Sequence, residues 1–361
     1  MNKTLFYIFA SIYLIAILYL AWSTPISPHE AKIFYSEDDI VNFLMHSGYD
    51  LLGGFFGLRL FFIIIGFISI LLYFQMSRVY MSKKSDVYLS TAIYMLLPGI
   101  ITALVLANIS IVVIPLVLLY ILAYSREWFW PQALLMFFIF LIHDASVIFF
   151  VAILLYALIH KKITLTLLSG FFLSLFIWID RGVEIGGRPS GHFADMFGLY
   201  AALFSPLVFI YFFYTMYRIL LREDKNILWY ISFVALLASL ILSVRQRIIV
   251  TDFAPYVIIS VVLMLDTFNK SLRIRLPEYQ KWYRVGFYIV ISVLMITSLT
   301  TIFHKALFSL MKNPKKHFAA RIYEPYWLSS RLKKQNIECY DAPNIRIANQ
   351  LYFYGIKQCQ K

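Results

Sequence analysis

The sequence predicts an all-α polytopic membrane protein with about eleven transmembrane helices, followed by a small α+β carboxyl-terminal domain outside the membrane. Three observations predict it. Hydrophobic residues make up 61% of the 361 and charged residues only 14%, with a mean hydropathy of +0.76, far from the balance of a soluble domain. Apolar runs approaching the roughly 20 residues that a bilayer span needs recur along the chain. Lys and Arg fall in short patches between those runs, as in loops that stay on the cytoplasmic side. The formal charge of +13 therefore reflects topology and calls for no nucleic acid as partner.

The first run, residues 4–22, is too long for the core of a secretory signal and lacks a small-residue cleavage site, so it reads as a retained span. Further spans are predicted near 58–76, 87–105, 109–124, 163–179, 200–221, 227–244, 248–265 and 285–303. The run 132–159 is cut by His143-Asp144 and reads as one long helix or as two short ones. Loop charge separates the two. Two short helices place fifteen Lys and Arg in inside loops against six outside, whereas one helix gives nine against twelve. The hairpin follows, with His143 and Asp144 at its outer tip, the amino terminus inside and the carboxyl terminus outside.

This organisation gives a transmembrane domain, 1–303, with outer loops 23–57 and 180–199, and an extracytoplasmic domain, 304–361. In the latter, residues 324–334 read as a short amphipathic helix. The stretch "NIECYDAPNIRIANQLYFYGIK" has the β-branched and aromatic content of two short strands around Ala342-Pro343. The two cysteines, Cys339 and Cys359, both lie here, as a disulfide that an oxidising exterior would permit or as two reduced thiols.

Ten of the 19 acids fall in the outer loops or at a helix mouth, close in sequence to imidazoles and guanidinium groups. A carboxylate or imidazole there can take a proton from an acceptor, and paired guanidinium groups can hold a leaving phosphate. Glu30, following Pro28-His29 just beyond the first span, is the leading candidate, with His29 beside it. Asp144 and His143 form a second pair. Arg245 and Arg247, flanking Gln246 between two apolar helices, read as phosphate ligands, joined by Arg188 and His192 of the loop "GGRPSGH", which its glycines would let move as a lid. Lys32 and Tyr35 are further substrate contacts. The acids Glu37, Asp38 and Asp39 read as solvated surface, or Asp39 as the start of a helix over 39–45. His and carboxylate side chains are present, but no H-E-x-x-H spacing is, so no cofactor is assigned and a divalent metal is left open. No P-loop, G-x-S-x-G elbow or dinucleotide fingerprint occurs.

The outer loop opening "PHEAKIFY", the span "GLRLFFIIIGFISILLYFQMSRVY" and the ending "NQLYFYGIK" resemble the GT-C membrane glycosyltransferases. Within them the protein mannosyltransferase and aminoarabinose transferase group is the most similar. That group carries an acidic motif in the first outer loop, often Asp-Glu followed by Ala and an aromatic. Glu30-Ala31 with Phe34-Tyr35 matches its second half, and His29 stands in place of the first acid. Members frequently carry another acid between the third and fourth spans, where this chain has Asn108.

The resemblance implies an inverting transfer of a sugar from a polyprenyl-phosphate-linked donor to a lipid, glycan or protein acceptor, on the outer side of a bacterial inner membrane. A lipid-linked glycan polymerase or ligase is the nearest alternative, and would be expected to carry a large late outer loop. A transporter or assembly protein is the other, and buried charges such as Arg59 or Asp266 along a path would favour transport.

Overall fold

The computed structural model describes residues 1–36, 39–183, 186 and 191–359. Helices run in the order α1 Lys3–Ser23, α2 Pro28–Ser36, α3 Ile40–Leu52, α4 Gly54–Tyr80, α5 Lys84–Leu96, α6 Pro98–Val105, α7 Ile109–Ser125, α8 Phe129–Ile142, α9 Val147–Ile159 and α10 Ile163–Ile179. They continue as α11 Phe193–Phe204, α12 Pro206–Arg222, α13 Ile227–Ser243, α14 Val250–Val257, α15 Val261–Ile274, α16 Pro277–Ile302, α17 His304–Leu310, α18 Ala320–Lys334 and α19 Ile345–Phe353.

The molecule is a multi-pass membrane protein. Four stretches, α1, α4, Val250–Ile274 and α16, are each long and apolar enough to cross a bilayer alone; α5–α6 and α11–α12 are bent pairs; five shorter apolar helices complete the set. These segments lie on the apolar runs of the sequence. Two runs expected as single spans are broken, however: α5 and α6 meet at 61° and α11 and α12 at 106°. Pro98 and Pro206 are the cause. Each lacks a backbone donor and disfavours the helical region for its predecessor, leaving Leu97 at φ −60°, ψ 127° and Ser205 at an extended ψ of 149°, the latter with a positive φ of 82° that proline does not impose.

The chain forms two compact units, the first comprising residues 1–11, 65–100 and 109–298, the second 12–64, 101–108 and 299–361. In the first, α7 is apolar on every side and buried along most of its length, the condition under which such a helix sits in a core. It packs on α8 and α14, while α13 packs on α9 and α14. The run cut by His143-Asp144 does break there: α8 ends at Ile142 and a short 3-10 turn, Asp144–Ser146, leads into α9. Phe140 before the break and Phe150 after it both pack on Phe172 and Phe176 of α10.

In the second unit, α3 begins at Asp39, whose carboxylate accepts from the Asn42 N–H at 2.8 Å. It passes α4 at Gly48 and Gly57, where a Cβ on Gly48 would stand 2.3 Å from the Gly57 carbonyl oxygen. Only glycine allows that approach, and it sets the start of α4, where Arg59 lies.

The tail differs from expectation. The second predicted strand is helix α19, because Asn344 caps it by accepting from the Ile347 N–H at 3.0 Å and because Leu351 joins Leu332 and Ile356 in a small core against which Ile347, one turn earlier, also packs. Local β propensity yields to that packing. What pairing exists among the described residues is one parallel bridge between Cys339 and Lys357, and the two cysteines form a disulfide across it. An aromatic cluster joins α19 to α2, α3 and α4, with Phe353 against Phe34, Tyr49 and Phe55 at 5.7 to 6.0 Å between ring centroids.

Candidate functional site

The stretch Ser27-Pro28-His29-Glu30 is a capping box. The Glu30 N–H donates to the Ser27 hydroxyl at 3.1 Å and the Ser27 N–H donates to Glu30 Oε2 at 2.8 Å, with Pro28 in the first helical turn where its missing donor costs nothing. Glu30 is thereby turned inward. There it receives Arg59 through two parallel bonds, Nε to Oε1 and Nη2 to Oε2, both 2.8 Å, and the Ala107 N–H at 2.9 Å. The remaining Arg59 donors go to the carbonyls of Ala21, Thr24 and Pro25 at 2.7 to 3.0 Å. Both side chains have zero solvent exposure.

Burial alone would push the Glu30 carboxyl upward. The Arg59 charge and the hydrogen bonds from Arg59, Ser27 and Ala107 outweigh it, and the group is held below the usual carboxylate range. A depressed folded pKa contributes stability above the unfolded value of about 4.3, lost as pH falls through the folded pKa. The stability gap between wild type and Glu30→Gln is therefore expected to stay constant above about pH 5 and to narrow below about pH 4, as read by thermal unfolding at each pH.

With Glu30 turned in, the other face of α2 presents His29 and Lys32, one turn apart, to a cleft of about 520 Å³. Across it stand Arg321 and Glu324 of α18 and Asn344 and Arg346 at the start of α19. Three cations, one imidazole and one carboxylate line the cleft. Gln350 fixes its floor by donating to the carbonyls of Ile26 at 2.9 Å and Arg321 at 3.2 Å. Arg321 and Arg346 escape sequence reading because they lie 292 and 317 residues from His29 in a tail dense with basic residues. Tyr35 does not line this cleft. Its ring meets Tyr352 edge-on at 5.0 Å, and burial, followed by the neighbouring Tyr352 and Tyr49, pushes its hydroxyl up to about 12.

The other predicted residues lie in the first unit. His143 is buried and pairs through Nδ1 with the Tyr256 hydroxyl at 3.0 Å; its Nε2 lies 3.9 Å from Asp252 and makes no hydrogen bond. Asp144 points the other way, 60% exposed, and accepts from Arg181 Nε at 2.6 Å. Arg181 also donates to the Leu141 carbonyl at 3.3 Å, tying the end of α10 to the break after α8. Arg247 is exposed and lies 3.5 Å from Asp195, which His192 approaches at 3.4 Å. Gln246 accepts from the Gly186 N–H at 2.7 Å, so this loop is stitched to the turn carrying Arg245. Arg188, Glu37 and Asp38 lie outside the described residues. The predicted residues therefore form two groups: His29, Glu30, Lys32 and Tyr35 in one unit; His143, Asp144, His192, Arg245 and Arg247 in the other.

The charges that a transport path would use are spent locally. Arg59 is consumed by Glu30 and carbonyls, and Asp266 pairs with Lys270 at 2.8 Å. Among the described residues no three His, Cys, Asp or Glu side chains gather as metal ligands.

No protein-family model and no curated protein matches the chain. Solved structures of ArnT are similar to it in fold. ArnT from Cupriavidus metallidurans in the apo state aligns with a TM-score of 0.55 at 14% identity, over 97% of this chain and 74% of that one. The same protein bound to undecaprenyl phosphate aligns with a TM-score of 0.59 at 12% identity, over 99% and 76%. The fold of this chain is thus similar to that of ArnT along nearly its whole length.

Proposed function

We propose that this chain, which carries the ArnT fold, is a membrane glycosyltransferase. It moves a sugar from a polyprenyl-phosphate-linked donor to a lipid, glycan or protein acceptor on the outer side of the bacterial inner membrane. The observation that carries the reading is the fold shared over 97 to 99% with ArnT, one structure of which holds undecaprenyl phosphate. The cleft beside α2 supplies chemistry that suits it.

In this reading His29 takes the proton of the acceptor hydroxyl or amine. The freed acceptor atom attacks the anomeric carbon from the face opposite the phosphate, the carbon–oxygen bond to phosphate breaks, and polyprenyl phosphate leaves with inverted configuration at the sugar. Lys32, Arg321 and Arg346 stabilise the departing dianion. Glu30 acts one step back: it fixes the turn and helix from which His29 projects. Asp144 and His143 hold the break between α8 and α9 through Arg181 and Tyr256, and chemistry rests on α2. In the first unit, Arg245 and Arg247 form a separate basic group that meets lipid phosphate, with Asp195 and His192 orienting Arg247.

The test is binding and transfer by purified protein. Undecaprenyl phosphate is expected to bind wild type, with Arg321→Ala/Arg346→Ala together weakening it by about 10-fold, because two guanidinium groups are lost at once but both are exposed. Arg247→Ala is expected to raise KM for the lipid donor only severalfold and leave kcat unchanged, since the group is exposed. Undiminished lipid binding by the double variant would remove the cleft from the reading.

A further inference from the structure

The first unit carries a second basic pocket, separate in sequence from every residue used above. It opens at the carboxyl-terminal ends of α12 and α15, has a volume of about 430 Å³, and is lined by Arg218, Arg222 and Arg275 with Tyr217, Leu221 and Ile274 among its walls. No carboxylate belongs to its described lining. Glu223 pairs with Arg218 at the base of the pocket at 3.3 Å and with Lys270 at 3.1 Å, and Asp266 pairs with Lys270, so Arg222 and Arg275 carry the pocket's positive charge toward a ligand. Arg218 is further fixed by the Ser271 hydroxyl, and Arg275 lies 4.2 Å from the Tyr283 ring centroid. Arg222 and Arg275 are exposed, so two of the three guanidinium groups face outward from a fixed base.

The walls are as informative as the charges. Tyr217 is 56% exposed, Leu221 59% and Ile274 80%, an apolar surface beside a guanidinium cluster. A soluble anion has no use for such walls, and a hydrocarbon chain alone has none for three guanidinium groups. A phosphate attached to acyl chains uses both. We propose that this pocket binds the headgroup of an anionic phospholipid, its phosphate held by Arg222 and Arg275 above Arg218 and its chains lying on Leu221 and Ile274. The loops leaving these helix ends are those that the charge pattern assigns to the cytoplasmic side, where anionic headgroups attract basic clusters. The inference does not depend on the transferase reading.

The experiment is native mass spectrometry of the full-length protein with tetraoleoyl cardiolipin, dioleoyl phosphatidylglycerol, dioleoyl phosphatidylcholine and sodium pyrophosphate as separate probes. Cardiolipin and phosphatidylglycerol are expected to bind at least about tenfold more tightly than phosphatidylcholine. Arg222→Gln/Arg275→Gln is expected to weaken cardiolipin about 10- to 30-fold, and Lys83→Gln/Lys84→Gln, on the α4–α5 loop, by less than about twofold. Equal binding of the neutral lipid, unchanged affinity in the double variant, or pyrophosphate bound as tightly as cardiolipin would each overturn the proposal. If the double variant does not fold, a photoreactive anionic lipid on wild type decides: label in 214–222 and 271–275 supports the site, and label confined elsewhere refutes it.

Discussion

Replacing Arg59 by methionine is expected to cost about 3–5 kcal/mol of stability, the usual penalty for stranding one member of a buried ion pair. The physical reason is local. Glu30 would be left in a site with zero exposure, with only the Ser27 and Ala107 N–H groups to offset its charge. Three carbonyls that Arg59 satisfies, those of Ala21, Thr24 and Pro25, would lose their donor in the same step. Thermal unfolding in detergent reads the loss directly. Glu30→Gln is expected to be milder, because it keeps the shape and a hydrogen-bonding group, and the double variant Glu30→Gln/Arg59→Met should cost less than the sum of its parts by about 1–3 kcal/mol. Additivity within about 0.5 kcal/mol would mean that the two side chains do not act as a latch.

The second large effect is on chemistry. His29→Ala is expected to lower kcat by about 10²–10⁴, the usual contribution of a positioned base, with a change in stability within about 0.5 kcal/mol, because the side chain is exposed. Glu30→Gln should show the opposite pattern, with stability and activity falling together. Measuring both quantities on both variants separates the roles. A folded, inactive Glu30→Gln beside a fully active His29→Ala would return the proton-accepting role to Glu30.

Much of this architecture was legible in the sequence. Composition and apolar runs gave the helical membrane fold, and the charged pair at His143-Asp144 marked a true break in its helix. The two proline-driven bends were equally visible as Pro98 and Pro206, yet hydropathy averages over such residues and returned straight spans. Strand propensity misled in the tail, where Asn344 and the facing core of Leu332 and Ile356 select a helix. At the candidate site, sequence position drew attention to α2 and left open which of its faces borders the cleft. The S-x-x-E spacing of a capping box and a lone arginine in an apolar run were the signals that Glu30 turns inward to Arg59. The residues that share the cleft with His29 could not be read the same way, since Arg321 and Arg346 reach it only through the packing of α19 on α2 and of α18 on α19.

The most direct test of the central claim is mass spectrometry of lipid-linked and surface glycans in a strain lacking this protein, complemented with wild type or with His29→Ala. The account predicts that one sugar disappears from a glycan, lipid or protein while its polyprenyl-phosphate-linked donor accumulates, and that wild type restores it and His29→Ala does not. Completed glycans retained on the inner face, with no donor accumulating, would contradict transfer and point to transport.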